Sequence, residues 1–407
     1  MRRAAWVLLL VVAFAIPWEY SLDFGEPFGN VARVAVIGVL LALIPAILNE
    51  GRLRMPGALP VLGVMLLVWF CLSCFWTVDM DESLRQLRGY FQEIVIVWLV
   101  WELVDSLRDL RWLLRSYVAG AAVLAVLTVL NFVSAARTGQ VRFVAEGHDP
   151  NDVARLLDLA FPLTALLVGS ESGWPRKLVT GAYFPLGMLG ILLTGSRSGL
   201  VSATIALCAC AALLFYNNRR AFFAGLFALP VLLASAWVIV PLQTFVRLAT
   251  LPSELMGGDL NQRSEIWAAG WQAFVRAPFC GYGVGSFVAA AGVAPIDTAH
   301  NTMLVLVVEG GVIALLIGSL LAVFAVALVL QLRGSVRIAL GAALLVWMVS
   351  SLVGTVQENR ATWLLLGILA VAARLLGEDA AVASAAGRRD SRLARTTFAP
   401  PVARESV

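Results

Sequence analysis

Apolar runs near twenty residues recur along most of this chain, each ended by charged or turn-forming residues. As an α-helix, such a run crosses roughly 30 Å of hydrocarbon. About twelve spans are predicted, over 4–17, 31–48, 58–76, 90–104, 116–133, 152–168, 178–194, 198–216, 221–240, 310–330, 338–356 and 361–375. The expected fold is therefore an all-α membrane protein, with a polytopic membrane domain over 1–376. One long hydrophilic interruption, 241–300, separates the ninth and tenth spans and leaves room for water-facing chemistry. The segment 377–407 is rich in Ala, Ser, Arg and Pro without helical period, and is expected to be a disordered tail. No internal repeat is visible.

Composition narrows the class. Of 407 residues 60% are hydrophobic and 14% charged, against roughly 25% charged in soluble domains. The net charge is +4, but its placement matters more than its size. Lys177 is the only lysine, and the arginines fall in small groups between apolar runs, which excludes a nucleic-acid-binding surface. Arg2 and Arg3, Arg52 and Arg54, Arg108 to Arg115, Arg176 with Lys177, Arg219 with Arg220, and Arg333 with Arg337 all precede or follow spans on one side. By the positive-inside rule that side is the cytoplasm. Both termini and the tail are then cytoplasmic, and 241–300 is a periplasmic loop. Arg2-Arg3 and Ala13-Phe14-Ala15 could also mark a cleaved signal peptide, but the first run reads better as a span. Cys71/Cys74 and Cys208/Cys210 sit inside apolar runs and read as small buried hydrophobes, while Cys280 stands alone in the long loop.

The remaining arginines are the informative ones. Arg85, Arg88, Arg137, Arg142, Arg197, Arg247, Arg263, Arg276 and Arg360 fall on the outer face, where topology does not require them. Such a surplus suits an anionic ligand, with phosphate matching the guanidinium fork. Arg197 sits in the tight turn Gly195-Ser196-Arg197-Ser198-Gly199, which reads as an anion site or as a snorkelling interfacial arginine. Asp149 and Pro150 form a helix start, with Arg155 and Asp158 spaced to pair and His148 exposed beside them. Arg263 leads a segment whose Trp267, Trp271 and Phe274 recur at helical spacing, expected to lie on the membrane interface. Gly281-Tyr282-Gly283-Val284-Gly285 reads as a flexible turn rather than a nucleotide loop.

His300 stands at a helix start. There the dipole favours a neutral imidazole able to accept a proton, although a polar helix start alone would look the same. Glu309 is an intramembrane carboxylate with Gln357, Glu358 and Arg360 as candidate partners, unless the helix breaks at Gly310-Gly311 and leaves it beside water.

Taken in order, Asp-Pro-Asn-Asp at 149–152, Ser-Arg-Ser-Gly at 196–199, Arg263-Ser264 with Trp267, Pro278-x-x-Gly-x-Gly, His300-Asn301 and Glu309-Gly310-Gly311 resemble the O-antigen ligase/polymerase family. The resemblance implies a polytopic, GT-C-like glycosyltransferase of the bacterial inner membrane with a periplasmic active site. Such an enzyme moves a glycan from undecaprenyl diphosphate to a sugar hydroxyl. It implies that Arg197 and Arg263 bind the diphosphate and that His300 activates the acceptor. Ser196, Ser198, Asn301, Glu309, Arg85, Arg88 and Arg247 are candidate supporting residues. Ala314 departs from the ligase pattern, which has Gly, Thr or Tyr there. No cofactor is expected and metal-independent displacement is favoured, with Asp79, Asp149, Asp259 and Asp297 the oxygen ligands that would serve a metal. The expected acceptor is lipid A core for a ligase, or a lipid-linked repeat for a polymerase of O-antigen, capsule or exopolysaccharide. The rival from another class is a twelve-span transporter, which calls for midplane polar sites and similar halves, and neither is clear here.

Overall fold

The computed structural model describes residues 1–25, 29–135, 140–217, 219–250, 263–294 and 298–397, with side chains as far as 378 apart from several between 220 and 233. Arg137, Asp259, Asn261, Gln262 and Asp297 lie outside the described residues. The chain runs through α1 (Arg2–Ala15) with a following 3₁₀ turn (Ile16–Ser21), α2 (Val31–Glu50), α3 (Ala58–Ser73), α4 (Met80–Leu103) and α5 (Leu107–Ala135). Then come α6 (Pro150–Ser170), α7 (Trp174–Gly181), α8 (Tyr183–Thr194), α9 (Arg197–Asn217) and α10 (Arg219–Ile239). The short helices α11 (Leu242–Ala249), α12 (Arg263–Arg276) and α13 (Phe287–Ala291) precede α14 (Thr302–Gln331), α15 (Gly334–Val353) and α16 (Arg360–Thr397).

Among the described residues, nine helical segments are long and apolar enough to cross a membrane. Three further expected spans are helical without meeting that measure. α3 has 16 residues, α4 opens on the charged Asp81, Glu82, Arg85 and Arg88, and α10 stands where the ninth span was expected. α4 starts about ten residues before the predicted boundary because Asp79 caps it, accepting from the Glu82 N–H at 3.1 Å. Arg85 and Arg88 are thereby helical residues. α16 continues past Gly377 to Thr397, into the segment expected to be disordered; its alanines favour helix.

α6 organises the bundle. Every residue from Val153 to Leu167 is buried, the charged Arg155 and Asp158 included. It packs against α5, α8, α9 and α15, while α16 packs on α4 and α14 on α3. Ion pairs tie the far end of the bundle, where Arg54 meets Asp105 at 2.7 Å and Arg115 meets Glu171 at 2.6 Å. Arg2, Arg54 and Arg115, expected on one side of the membrane, do share one end.

At the other end five helix starts converge, each with its own cap. Asp79 caps α4 and Asp149 caps α6. Ser196 caps α9, Asn301 caps α14 and Asn359 caps α16. Their macrodipoles bring partial positive charge to this end.

α14 is broken where the sequence allowed it, at Gly311, with φ 65° and ψ −164°. A break at membrane depth frees backbone groups that must be satisfied inside the protein. The 278–283 turn does this. Tyr282 N–H donates to Val308 O at 2.9 Å, Gly283 N–H to Glu309 O at 2.8 Å, and Val312 N–H to Pro278 O at 2.8 Å. The Trp69 indole N–H takes the Gly310 carbonyl at 2.8 Å. The flexible turn expected at 281–285 is instead close-packed. Gly281 has φ +64°, and a Cβ there would lie 2.5 Å from the Glu309 carbonyl.

Candidate active site

The five capped helix ends surround a cavity of about 800 Å³. Asp79, Asp149, Ser198, His300 and Asn359 line it near the helix starts. Asp158 of α6 lies eight residues in from Pro150, about 12 Å along the helix, and Glu309 of α14 seven in from Thr302, about 10 Å. Both also line the cavity.

His300 precedes α14 with a left-handed backbone, φ 45°. For a residue with a Cβ that conformation costs about 1–2 kcal/mol, and such strain gathers at functional sites. Its Nε2 lies 3.1 Å from Thr298 Oγ1. The segment ahead is pinned by the Trp267 indole, which donates to Ala299 O at 2.7 Å. Trp267 therefore faces the protein, not lipid headgroups. α12 buries Ile266, Gly270 and Ala273 against α13 and α14, and Trp271 is the exposed aromatic.

Beside the cavity mouth is an arginine cluster. Arg142 Nε donates to Thr194 O at 3.1 Å, and Arg247 Nε to Gly195 O at 3.1 Å. Arg197 reaches Thr250 Oγ1 at 3.0 Å, and Arg263 reaches Val353 O at 3.1 Å. These bonds fix the guanidinium stems on three separate stretches. Burial, then the Arg247, Arg197 and Arg263 charges, push the Arg142 guanidinium down against the pull of Asp149. Arg263 is lowered by burial and by Arg197, again opposed by Asp149. Four guanidinium groups thus share one neighbourhood with Asp149. Arg197, Arg247, Gln243 and Thr250 also line an adjoining cavity of about 470 Å³. Arg142 was visible in sequence only as one outer arginine among nine.

The other sequence candidates divide. Ser198 and Glu309 line the large cavity, as does Arg85, which Glu82 engages at 2.7 Å. Ser196 is buried in its cap and donates to Asn151 Oδ1 at 2.8 Å. Asn301 holds α14 and bonds Leu352 O. Arg88 is exposed and donates back to Leu84 O. The first group faces a ligand space, whereas Ser196 and Asn301 hold helix ends.

Several expected pairings differ. Arg155 pairs with Asp152 at 3.0 Å, not with Asp158. Arg360 pairs with buried Glu19 and with Gln92 at 2.8 Å, not with Glu309. Glu358 faces the same cavity as Glu309, and burial pushes its carboxyl up to about 7. His148 is not an exposed loop residue. It packs edge-on against Tyr20, ring centroids 5.3 Å apart, and burial lowers its imidazole to about 4.

That shift predicts an acid-sensitive fold. An unfolded histidine titrates near about 6.5, so the unfolded chain takes up a proton that folded His148 refuses. Its contribution is whole above that value and is lost as pH falls towards 4, up to about 3 kcal/mol. His148→Gln should flatten the fall in Tm of the solubilised protein between pH 7 and 4.5. Parallel curves for the two proteins would refute this.

Among the described residues, no three His, Cys, Asp or Glu side chains converge as metal ligands. No curated protein matches the chain. About a third of it does find a family. Residues 182–318 match the model described as O-antigen ligase. The match supports assigning the chain to the O-antigen ligase/polymerase family, and with it a membrane glycosyltransferase-like function in a multi-pass bacterial membrane protein. The O-antigen ligase match contains Arg197, Arg247, Arg263, His300 and Glu309. α4, α6 and α15, which wall the same cavity, lie outside it.

Proposed function

We propose that this protein transfers a glycan from undecaprenyl diphosphate to a sugar hydroxyl at the periplasmic face of the inner membrane, as a ligase acting on lipid A core. The observation that carries the reading is the meeting of two features at one end of the bundle: Arg197, Arg247 and Arg263 gathered around Arg142, and His300 lining the cavity beside them. Fixed guanidinium groups in a poorly solvated mouth stabilise charge growing on a departing diphosphate. The acceptor oxygen attacks the anomeric carbon as the bond from that carbon to the diphosphate oxygen breaks. The leaving diphosphate keeps the electron pair, and the hydroxyl proton passes to a ring nitrogen of His300. Direct displacement of this kind inverts the anomeric centre.

Polymerisation of lipid-linked repeats uses the same donor and chemistry. Ala314, the departure from the ligase pattern, does not decide between the two. It is fully buried, and a Cβ on Gly310 would sit 2.4 Å from its own, so the position serves packing at the helix break.

The test is a strain lacking this protein, with polyprenyl-linked and envelope-linked glycan measured separately. Long chains left on undecaprenyl diphosphate over bare lipid A core are expected. Single repeats left there would reassign the protein as a polymerase. Unchanged pools would overturn both and favour transport.

A further inference from the structure

Asp158 is the side chain that the reading above leaves unused. It is fully buried on α6, yet it lines the large cavity, and neither carboxyl oxygen has a hydrogen-bond partner. Arg155, one turn away, is turned to Asp152. Ser202 of α9, also buried, lines the same wall, and Glu309 Oε2 is a second buried carboxyl oxygen without a partner there. An unsatisfied carboxyl in an apolar bundle costs stability, and at membrane depth such a group marks a ligand by default.

The chemistry of the wall limits what that ligand is. A protonated carboxyl offers an anion a single donor and an ionised one repels it, while Arg85 and Arg155, which line the same cavity, are already engaged by Glu82 and Asp152. A metal ion is disfavoured because no three ligands converge among the described residues. An uncharged polyhydroxyl ring fits. A protonated carboxyl donates one hydrogen bond and accepts others, and the Ser202 hydroxyl does both, matching the paired donor and acceptor character of vicinal sugar hydroxyls.

The covalent structure of the donor then says which ring. If the arginines hold the diphosphate and His300 serves the incoming hydroxyl, the anomeric carbon lies between them. The ring bonded to it must then enter this cavity. We infer that Asp158 and Ser202 form the subsite for the first sugar of the lipid-linked donor, bound through its ring hydroxyls. This rests on the transferase reading, and the test separates the two.

The whole protein in lipid nanodiscs is offered undecaprenyl diphosphate, or the same lipid carrying a single hexose, and retention of each is measured by native mass spectrometry. Wild type should retain the sugar-bearing lipid more strongly. Asp158→Leu should weaken that lipid about tenfold and leave the bare lipid unchanged. Asp158→Asn, whose amide both donates and accepts, should retain most of the preference. Ser202→Met fills the same wall from α9 and reads the same contrast should Asp158→Leu fail to insert.

A preference unchanged by both Asp158→Leu and Ser202→Met overturns the subsite. Equal weakening of both lipids does so too, as does a wild type that holds the bare lipid without preferring the sugar. A wild type that holds neither lipid overturns the donor reading itself, and the subsite with it.

Discussion

Replacing His300 by Asn should lower glycan transfer by about 10²–10⁴-fold and leave retention of undecaprenyl diphosphate intact. Asn is the informative choice because His300 has φ 45°. Asn tolerates the left-handed region that Ala adopts only with strain. It keeps a polar side chain at the cavity wall but has no ring nitrogen to receive a proton. The arginines are held by other elements, through Thr194, Gly195, Thr250 and Val353, so the substitution does not touch their anchors. Loss of transfer with binding preserved would separate proton acceptance from donor recognition. His300→Ala should fall at least as far, with some loss of stability added. An Asn variant that transfers within about threefold of wild type would remove His300 from the chemistry, because loss of a general base costs far more than that.

How much of this site the sequence discloses depends on what each residue needs in order to be recognised. The arginines were legible as a group because topology left them unexplained. Their mutual approach was not, since Arg142, Arg197, Arg247 and Arg263 come from separate stretches that only the folded bundle joins. The helix caps were legible where local chemistry decides, as at Asp149. Arg155 shows where local reasoning stops. It lies three residues from both Asp152 and Asp158, and spacing cannot choose between them. The structure takes Asp152, whose side chain is 42% exposed, because an ion pair near water loses less hydration than one at the buried Asp158. Arg360 and Glu19 are 341 positions apart, and no periodicity links them. The glycines at 281–285 looked like free turn residues because the atoms that crowd them, in Thr77, Glu82 and Glu309, are remote in sequence. The hydrophobic period reports which face of a helix is apolar. It does not report whether protein or lipid covers that face, which is why Trp267 was assigned to the wrong partner.

Gly311→Ala should be the most damaging small substitution outside the polar site. At φ 65° and ψ −164° the backbone is in a region essentially reserved for glycine. The added Cβ would lie 2.1 Å from the Phe279 carbonyl oxygen, which belongs to the backbone and cannot swing aside. Relief requires either closing the helix or expelling the 278–283 turn. Both lose the set of bonds joining Tyr282, Gly283, Trp69 and Pro278 to the break, each worth about 0.5–1.5 kcal/mol net and more once stranded in a dry interior. A loss of several kcal/mol should lower the Tm of the solubilised protein by about 5 °C or more. Function should fail with it, because the break holds Glu309 at the cavity wall and the turn it receives leads into Gly285 and Phe287, which line the same cavity. Gly225→Ala in α10 is the control, since nothing lies within 4 Å of a Cβ there. It should leave Tm and transfer unchanged or slightly raised, as alanine favours a helix interior. If Gly311→Ala behaves like Gly225→Ala, the broken helix is not what shapes the cavity, and Glu309 must owe its position to α14 packing alone.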